Sequence, residues 1–350
     1  MTVAGLRPGS ARSVAVLGAG SWGTTFAKIL ADAAIAAGDE RQIRVWGRRP
    51  EVVEQINTIH RNIQYLKDIA LPESIIASTD VEEVLAGADL VVLAVPAQSL
   101  RLQLREWKPL IEPQAMVVSL MKGLELDTDA RMSEVISQEL GLPADRIAVV
   151  SGPNLAMEIA REEPTASVVA CTDPEAAGWI ARTCTAPYFR PYTTADVVGV
   201  EIGGIVKNVI ALAVGICEGK QMGDNTKASV ITRGLAETSR LALALGGEAQ
   251  TMAGLAGLGD LVATCSSPLS RNHTAGRLLG QGLTLDEVAQ KMTQTAEGIK
   301  SGQAVHELAG KLGVEMPITA AVVAVLAGKL SVDQLGPLLL ARELKPEGDY

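Results

Sequence analysis

Aromatic residues are scarce: two Phe, four Tyr and four Trp make up 3% of 350 residues. Ala, Val, Leu and Ile must therefore fill the core. Cysteines are few and isolated. Cys171, Cys184, Cys217 and Cys265 form no Cys-x-x-Cys pair, and a chain of this length needs no disulfide framework. They read as reduced, mostly buried thiols of a cytosolic protein. His60, His273 and His306 stand far apart without metal-ligand spacing, so no metal site is expected. A basic surplus is missing as well. Lys plus Arg is 31 and Asp plus Glu is 40, a net charge of −9, which argues against nucleic acid held on a broad basic surface. Charged residues reach only 20% beside 47% hydrophobic, which excludes a disordered chain. No apolar h-region precedes Ser13, so residues 1–12 read as a loose leader and not as a signal peptide. Internal repeats and low-complexity tracts are absent.

What is present begins with glycine, 34 residues in all, which suits a backbone that approaches a ligand closely. One apolar run, Val197 to Cys217, is long enough to resemble a membrane span. Glu201 and Lys207 interrupt it, and a charge at the bilayer centre costs roughly 3 kcal/mol. The run reads instead as the core helix of a soluble domain.

Ser13–Gly18 is a short apolar run followed by Gly18-Ala19-Gly20-Ser21-Trp22-Gly23 and then by apolar residues at helical spacing. This is strand, glycine turn, helix. Ile43–Trp46, Asp89–Val95, Ala115–Leu120 and Ile147–Ser151 are further strands, continuous as in a parallel sheet buried on both faces. Helical stretches such as Val81–Ala86 and Ala130–Glu139 lie between them. Thr165–Ala170 and Tyr188–Thr193 extend the sheet at its far edge. After about Asp196 only Ala-rich helical periods remain. The expected fold is α/β: a Rossmann-type doubly wound parallel sheet over 13–195, then an all-helical domain over 196–342 and a polar tail over 343–350.

The glycine string gains meaning from its place between strand and helix. Gly18 permits the tight turn, Gly20 lets a pyrophosphate approach, and Gly23 lets helix and strand pack; the helix start then offers free N–H groups. At the end of the second strand, Gly47-Arg48-Arg49 replaces the acidic residue that an NAD site uses for the ribose. Two guanidiniums there favour a 2′-phosphate, hence NADP, with NAD also usable.

Lys122-Gly123 and Gly152-Pro153-Asn154 follow strands on the ligand side of such a sheet. Lys207 lies in the apolar helix, one turn after Gly203 and Gly204. Paired glycines inside a helix suggest that something approaches closely. Partial desolvation there should lower the lysine pKa toward the range of proton transfer. Such a lysine can protonate the alkoxide formed when hydride attacks a ketone; the plainer alternative is a snorkelling lysine or one paired with Glu201, which is six residues away and not on the same face. Asn208 beside it is placed to hold a substrate oxygen. Gly257-Leu258-Gly259-Asp260 reads as a glycine-rich turn before a helix, with Asp260 either a cap, a substrate contact or the group that orients Lys207. Ser270-Arg271-Asn272 opens another helix: Arg271 suits a phosphate clamp, while Ser270 and Asn272 serve equally as N-caps. Glu297-Gly298 is a similar cap-like element.

In order, Gly18-Ala19-Gly20-Ser21-Trp22-Gly23-Thr24, Lys122-Gly123-Leu124-Glu125, Ser151-Gly152-Pro153, Lys207-Asn208, Gly257-Leu258-Gly259-Asp260, Ser270-Arg271-Asn272 and Ala296-Glu297-Gly298 resemble the bacterial NAD(P)-dependent glycerol-3-phosphate dehydrogenases. The resemblance runs from about Ser13 to about Gly336. It implies interconversion of dihydroxyacetone phosphate and sn-glycerol 3-phosphate for phospholipid synthesis in the cytoplasm, with no metal. It implies Lys207 as proton donor and acceptor and Lys122 as a contact to substrate and cofactor, with Asp260 also placed among the catalytic residues. Gly152, Asp260, Ser270, Arg271 and Asn272 correspond to substrate contacts. Ser21, Trp22, Arg48, Arg49, Ala156 and Glu297 correspond to cofactor contacts, with Arg271 near both. Asn154 stands where the family usually has Ser or Thr; its amide can still meet a substrate oxygen, although it is larger. The expected partner is a phosphorylated triose, with no nucleic acid and no membrane span, in a homodimer.

Two rivals share parts of this pattern. A dehydrogenase of the 3-hydroxyacid or 6-phosphogluconate type has the sheet and a helix-borne lysine, but does not predict Ser270-Arg271-Asn272 with Gly259-Asp260. A dinucleotide sensor without turnover would not need the lysine, aspartate and arginine set.

Overall fold

A computed structural model describes residues 9–292 and 296–340, with side chains given up to Gly336. Readings that fall on residues 1–8, 293–295 and 341–350 lie outside the described residues. Contacts divide the chain into two compact units: one runs to Met121 and resumes over Ala130–Val197, the other takes Lys122–Asp129 and everything from Val198 onward. The sequence placed residues 122–129 with the sheet. The structure groups them with the helices, because Leu124 is 0% exposed inside the helical core.

The first unit is built on an eight-stranded sheet in the order β3-β2-β1-β4-β5-β6-β7-β8. The strands are β1 Ser13–Leu17, β2 Gln42–Trp46, β3 Ile75–Ser78, β4 Leu90–Leu93, β5 Met116–Ser119, β6 Ile147–Ser151, β7 Thr165–Ala170 and β8 Phe189–Thr194. β1 to β6 are parallel, with Val14 level with Ile43 on one side and Leu90 on the other. β7 reverses against β6, and β8 runs parallel to β7. The central order 3-2-1-4-5-6 is that of a dinucleotide-binding sheet. Alternate residues feed alternate faces. Val14, Val16, Ile43, Leu90 and Val92 enter one core, while Ala15, Leu17, Val91, Leu93 and Val117 enter another. Two cores on one sheet explain why the strands read as continuous apolar runs. β3 was not anticipated: Ile76 is 61% exposed, so this edge strand carries too short an apolar signal. The segment read as a loose leader is packed at its end, where Ala11 is buried and its N–H donates to Thr183 Oγ1 at 3.0 Å.

The second unit surrounds the helix Val197–Gly219, whose most apolar window is 94% buried. A helix apolar all round belongs in a core. It meets the helix Arg271–Gly280 backbone to backbone. A Cβ on Gly215 would lie 2.2 Å from His273 O, and one on Gly219 2.2 Å from Arg277 O. In return, a Cβ on Gly276 would lie 2.1 Å from Leu212 O, and one on Gly280 2.4 Å from Ile216 O. Reciprocal small residues draw two helices into a contact no larger side chain permits. The glycines of the long helix thus serve packing, and the membrane-like composition follows from burial within protein.

Candidate active site

The glycine loop of the sheet unit divides its labour. Gly18 has φ +130°, and a Cβ there would lie 2.4 Å from Ala94 O; a Cβ on Gly23 would lie 2.0 Å from Gly18 O. Both positions are closed by protein. A Cβ on Gly20 would meet nothing within 4 Å, so its missing side chain keeps that face of the loop open. The helix Ser21–Ala37 begins there with no side-chain cap and no acidic residue in its first turn. The N–H groups of Ser21, Trp22 and Gly23 have no partner among the described residues, the first bond being Thr24 N to Gly20 O at 2.9 Å. The indole N–H of Trp22 is buried without a partner. Unmet donors at a positive helix end suit pyrophosphate, so these residues fit a dinucleotide.

The arginine pair lies beside this loop. Gly18 N donates to Trp46 O at 3.1 Å, and the Cβ position of Gly47 is 3.1 Å from Ala19 Cβ. Arg48 is exposed with no partner among the described residues. Arg49 is half-buried; Nη2 donates to Tyr65 Oη at 2.6 Å, and the guanidinium stands 5.1 Å from the same ring. A phenol orients a guanidinium without neutralising it, so both charges stay available to an anion. Asn62, absent from the sequence reading, holds the loop from behind: it is fully buried and donates to Ala19 O at 3.0 Å and Thr24 Oγ1 at 2.9 Å. The spacing Asn62-x-x-Tyr65 is the signal that could have found this support.

Gly152 takes φ +136°, with its Cβ position 3.2 Å from Ser167 Cα. Both side-chain atoms of Asn154 are buried without a partner, as is Ser151 Oγ. Such groups cost about 1–3 kcal/mol each when unmet, which suits a surface that closes on a polar ligand. Ala156 opens the short helix Ala156–Ala160 and accepts from Thr25 Oγ1 at 3.3 Å.

In the helical unit, Lys207, Lys122 and Asp260 converge. Asp260, 1% exposed, accepts from Lys207 Nζ at 2.5 Å through Oδ1 and from Lys122 Nζ at 2.6 Å through Oδ2. It is no helix cap. Lys207 also donates to Thr264 Oγ1 at 2.7 Å, and Thr264 Oγ1 donates to Asp260 Oδ1 at 3.2 Å. Thr264 was missed; it follows Asp260 by one turn on the same face, the spacing at which helix side chains meet. Glu201 is not the partner of Lys207. Burial lowers the Lys207 pKa to about 8; Asp260 opposes that shift and the like charge of Lys122 adds to it.

Local structure explains the convergence. A Cβ on Gly203 would lie 2.5 Å from Ala256 O. The backbone beside Lys207 is therefore covered by protein, and what approaches closely is the chain leading to Asp260. That chain is not a simple turn: Leu255–Gly259 is a π-helical turn running into the helix Asp260–Ser266. Such turns recur at functional sites. Here it packs onto Gly203 and delivers Asp260 to the lysines.

A second polar knot lies on the same helix. Asn272 Nδ2 donates to Asn208 Oδ1 at 2.9 Å, and Asn272 Oδ1 accepts the Gly298 N–H at 2.9 Å. Asn208 Nδ2 has no partner among the described residues. Ser270 Oγ accepts from His273 N at 3.2 Å and so caps the helix Arg271–Gly280. Arg271 stands exposed on its first turn, and Glu297 opens the helix Glu297–Lys311. Among the described residues no cluster of His, Cys, Asp and Glu suits a metal ion, and the cysteines are free, buried thiols.

Comparison with known proteins places this chain among relatives. Residues 13–177 match the model of the NAD-dependent glycerol-3-phosphate dehydrogenase N-terminus, and residues 196–336 match that of its C-terminus. A glycerol-3-phosphate dehydrogenase [NAD(P)+] of Thermobifida fusca is 58% identical over 334 residues, 95% of this chain and 98% of the relative. One from Streptomyces griseus is 57% identical over 95% of this chain and 97% of its own. The crystal structure of a glycerol-3-phosphate dehydrogenase from Coxiella burnetii, 36% identical, superposes with a TM-score of 0.88 over 95% of this chain and 99% of that one.

Proposed function

The chain belongs to the NAD-dependent glycerol-3-phosphate dehydrogenase family, and we propose that it interconverts dihydroxyacetone phosphate and sn-glycerol 3-phosphate through the lysine pair on Asp260. It is an NAD(P)-dependent oxidoreductase, as its relatives at 57–58% identity are; none of these carries the name of a 3-hydroxyacid or 6-phosphogluconate enzyme. The observation that carries the mechanism is two ammonium groups sharing one buried carboxylate.

When bound, NADH or NADPH supplies the hydride. The residues of this chain do the rest. Ser21, Trp22, Gly23, Arg48 and Arg49, with Ala156 and Glu297, hold the dinucleotide. Lys122 and Lys207 leave the cluster with one surplus positive charge over Asp260, set in a protein interior where it acts strongly on a developing alkoxide. Lys207, its pKa lowered to about 8, gives that alkoxide its proton and takes it back in the reverse direction. Asp260 and Thr264 fix the Nζ position. Arg271, helped by the capped helix start at Ser270, meets the phosphate, while Asn208, Asn272, Gly152 and Asn154 meet the remaining oxygens. Arg48, with the oriented Arg49, favours NADPH. The protein works as a homodimer in the cytoplasm and supplies glycerol phosphate for phospholipid synthesis.

The test is a spectrophotometric assay with both reduced cofactors. Dihydroxyacetone phosphate should drive NADPH oxidation, while a 3-oxoacid should not; the opposite preference would refute the assignment. Arg48→Ala combined with Arg49→Ala should raise KM for NADPH about ten-fold or more and barely move KM for NADH, since each lost charge-assisted bond is worth about 1.5–3 kcal/mol. Equal weakening of both would reject the 2′-phosphate role.

A further inference from the structure

The chain leaves β5, contributes Lys122–Asp129 to the helical unit, and rejoins the sheet unit at Ala130. This short arm is anchored along its length. Lys122 ends on Asp260. Leu124 is 0% exposed within the helical core, and Leu126 packs against the same core. Asp129, its side chain 5% exposed, is ion-paired with Lys311 at the end of the helix Glu297–Lys311. Between these anchors the backbone turns sharply. Asp127 and Asp129 have φ +71° and +56°, Asp129 N donates to Glu125 O at 3.0 Å, and Thr128 Oγ1 donates to Glu125 Oε2 at 2.6 Å. Two non-glycine residues in the left-handed region within one turn persist only where the surroundings over-determine them.

We propose that Asp129, with Lys311 and Leu124, is a positioning element for Lys122, holding the arm on the helical unit so that the Lys122 ammonium stays on Asp260. Lys122 is paired with Asp260 and Asp129 with Lys311, so Asp129 acts on Lys122 through the arm. The proposal rests on the reading of Lys207 and Lys122 as the reacting pair and adds a residue to it. It has a consequence that a merely structural anchor lacks. Lys207 is faced by Asp260, Thr264, Cys265 and Lys122, and the like charge of Lys122 helps to depress it. An arm released from its anchor lets Lys122 drift, and the proton on Lys207 is then held more tightly.

The decisive variant is Asp129→Asn, because asparagine also tolerates the left-handed region and removes only the charge. Leu124→Ala tests the apolar anchor, and Lys311→Met tests the partner. In Asp129→Asn and Lys311→Met, kcat for dihydroxyacetone phosphate should fall several-fold with KM for NADPH unchanged. The Lys207 midpoint, read by carbon NMR of its Cε in the ligand-free protein, should rise. Leu124→Ala should do the same more strongly; if it fails to fold, the two charge variants suffice. An unmoved midpoint in both charge variants, whether or not kcat or Tm falls, overturns the proposal. The NMR readout needs no turnover, so an inactive wild type would refute the dehydrogenase reading and leave the positioning claim to stand or fall by itself.

Discussion

The two units handle polar groups in opposite ways. Around the glycine loop, the sheet unit leaves its donors unmet: the first-turn N–H groups, the Trp22 indole, and further along the Asn154 amide. In the helical unit the groups around Asp260 and Asn272 are already joined, although among the described residues Asn208 Nδ2 and His273 Nδ1 are not. Lys122, Lys207, Asp260 and Thr264 form one hydrogen-bonded set, and Asn208, Asn272 and Gly298 form another. Glycine serves both uses: Gly20 faces open space, whereas Gly18 and Gly23 of the same loop, and Gly203, Gly215 and Gly298 of the helical unit, each lie against a backbone carbonyl. A surface that binds a large, polyanionic dinucleotide can carry unmet groups, because the ligand completes them. A surface that stabilises charge during a reaction must hold its dipoles and charges in place beforehand. The comparison therefore predicts that damage in the helical unit reads out in kcat, and damage in the sheet unit in cofactor affinity.

The largest effect should come from Lys207→Ala. Loss of a positioned proton donor lowers turnover about 10²- to 10⁴-fold. Lys122 remains on Asp260, so the aspartate is not left unpaired. NADPH affinity, measured by fluorescence titration, should stay within about two-fold of wild type. A variant that chiefly raised KM would move Lys207 from chemistry to binding and erase the contrast between the units.

A smaller but more diagnostic effect belongs to Asp260→Asn. The Asp260 carboxylate raises the Lys207 pKa against burial and Lys122. Ketone reduction requires the protonated lysine, so activity falls as pH rises through a midpoint near 8 in the free protein. Neutralising Asp260 removes the opposing influence, and the midpoint should move to lower pH by about one unit or more. The variant should therefore lose most of its activity at pH 8 and recover part of it at pH 6. A profile unmoved or displaced upward would mean that the proton does not come from an ammonium held on Asp260.

The same division decides how much could be read from sequence. β1, β4, β5 and β6 are buried on both faces, so their apolar runs announced a parallel sheet. The helix Val197–Gly219 announced itself by composition. Edge strand β3 did not, because only one face of it is covered. Lys207 stood out as a charge in an apolar run, yet the purpose of Gly203 was invisible: a missing side chain does not say whether ligand or protein fills its place. Nor could the sequence tell that residues 122–129 fold with the helices, because an excursion is defined by contacts such as Asp129 with Lys311, 182 positions apart. Ser270 illustrates a residue with two compatible uses, since a hydroxyl that accepts from His273 N keeps its own hydrogen to donate.

The smallest expected effect tests the sheet unit and has an unusual sign. The Trp22 indole N–H is buried and unmet within the chain, while its ring lies edge-on to Phe26 at 5.7 Å. Trp22→Phe removes that donor and keeps an aromatic body against Phe26. Relief of an unmet buried N–H is worth about 1–3 kcal/mol, and the lost ring volume costs a similar amount, so Tm should change by a few degrees at most. A ligand that meets the indole loses a hydrogen bond of about 1 kcal/mol, and the Kd for NADPH should rise roughly five-fold. Stability and affinity thus separate in one variant. If Tm collapses and affinity follows it, the indole is packing material, and the claim that the glycine loop leaves its donors for the cofactor fails at the residue where burial makes it sharpest.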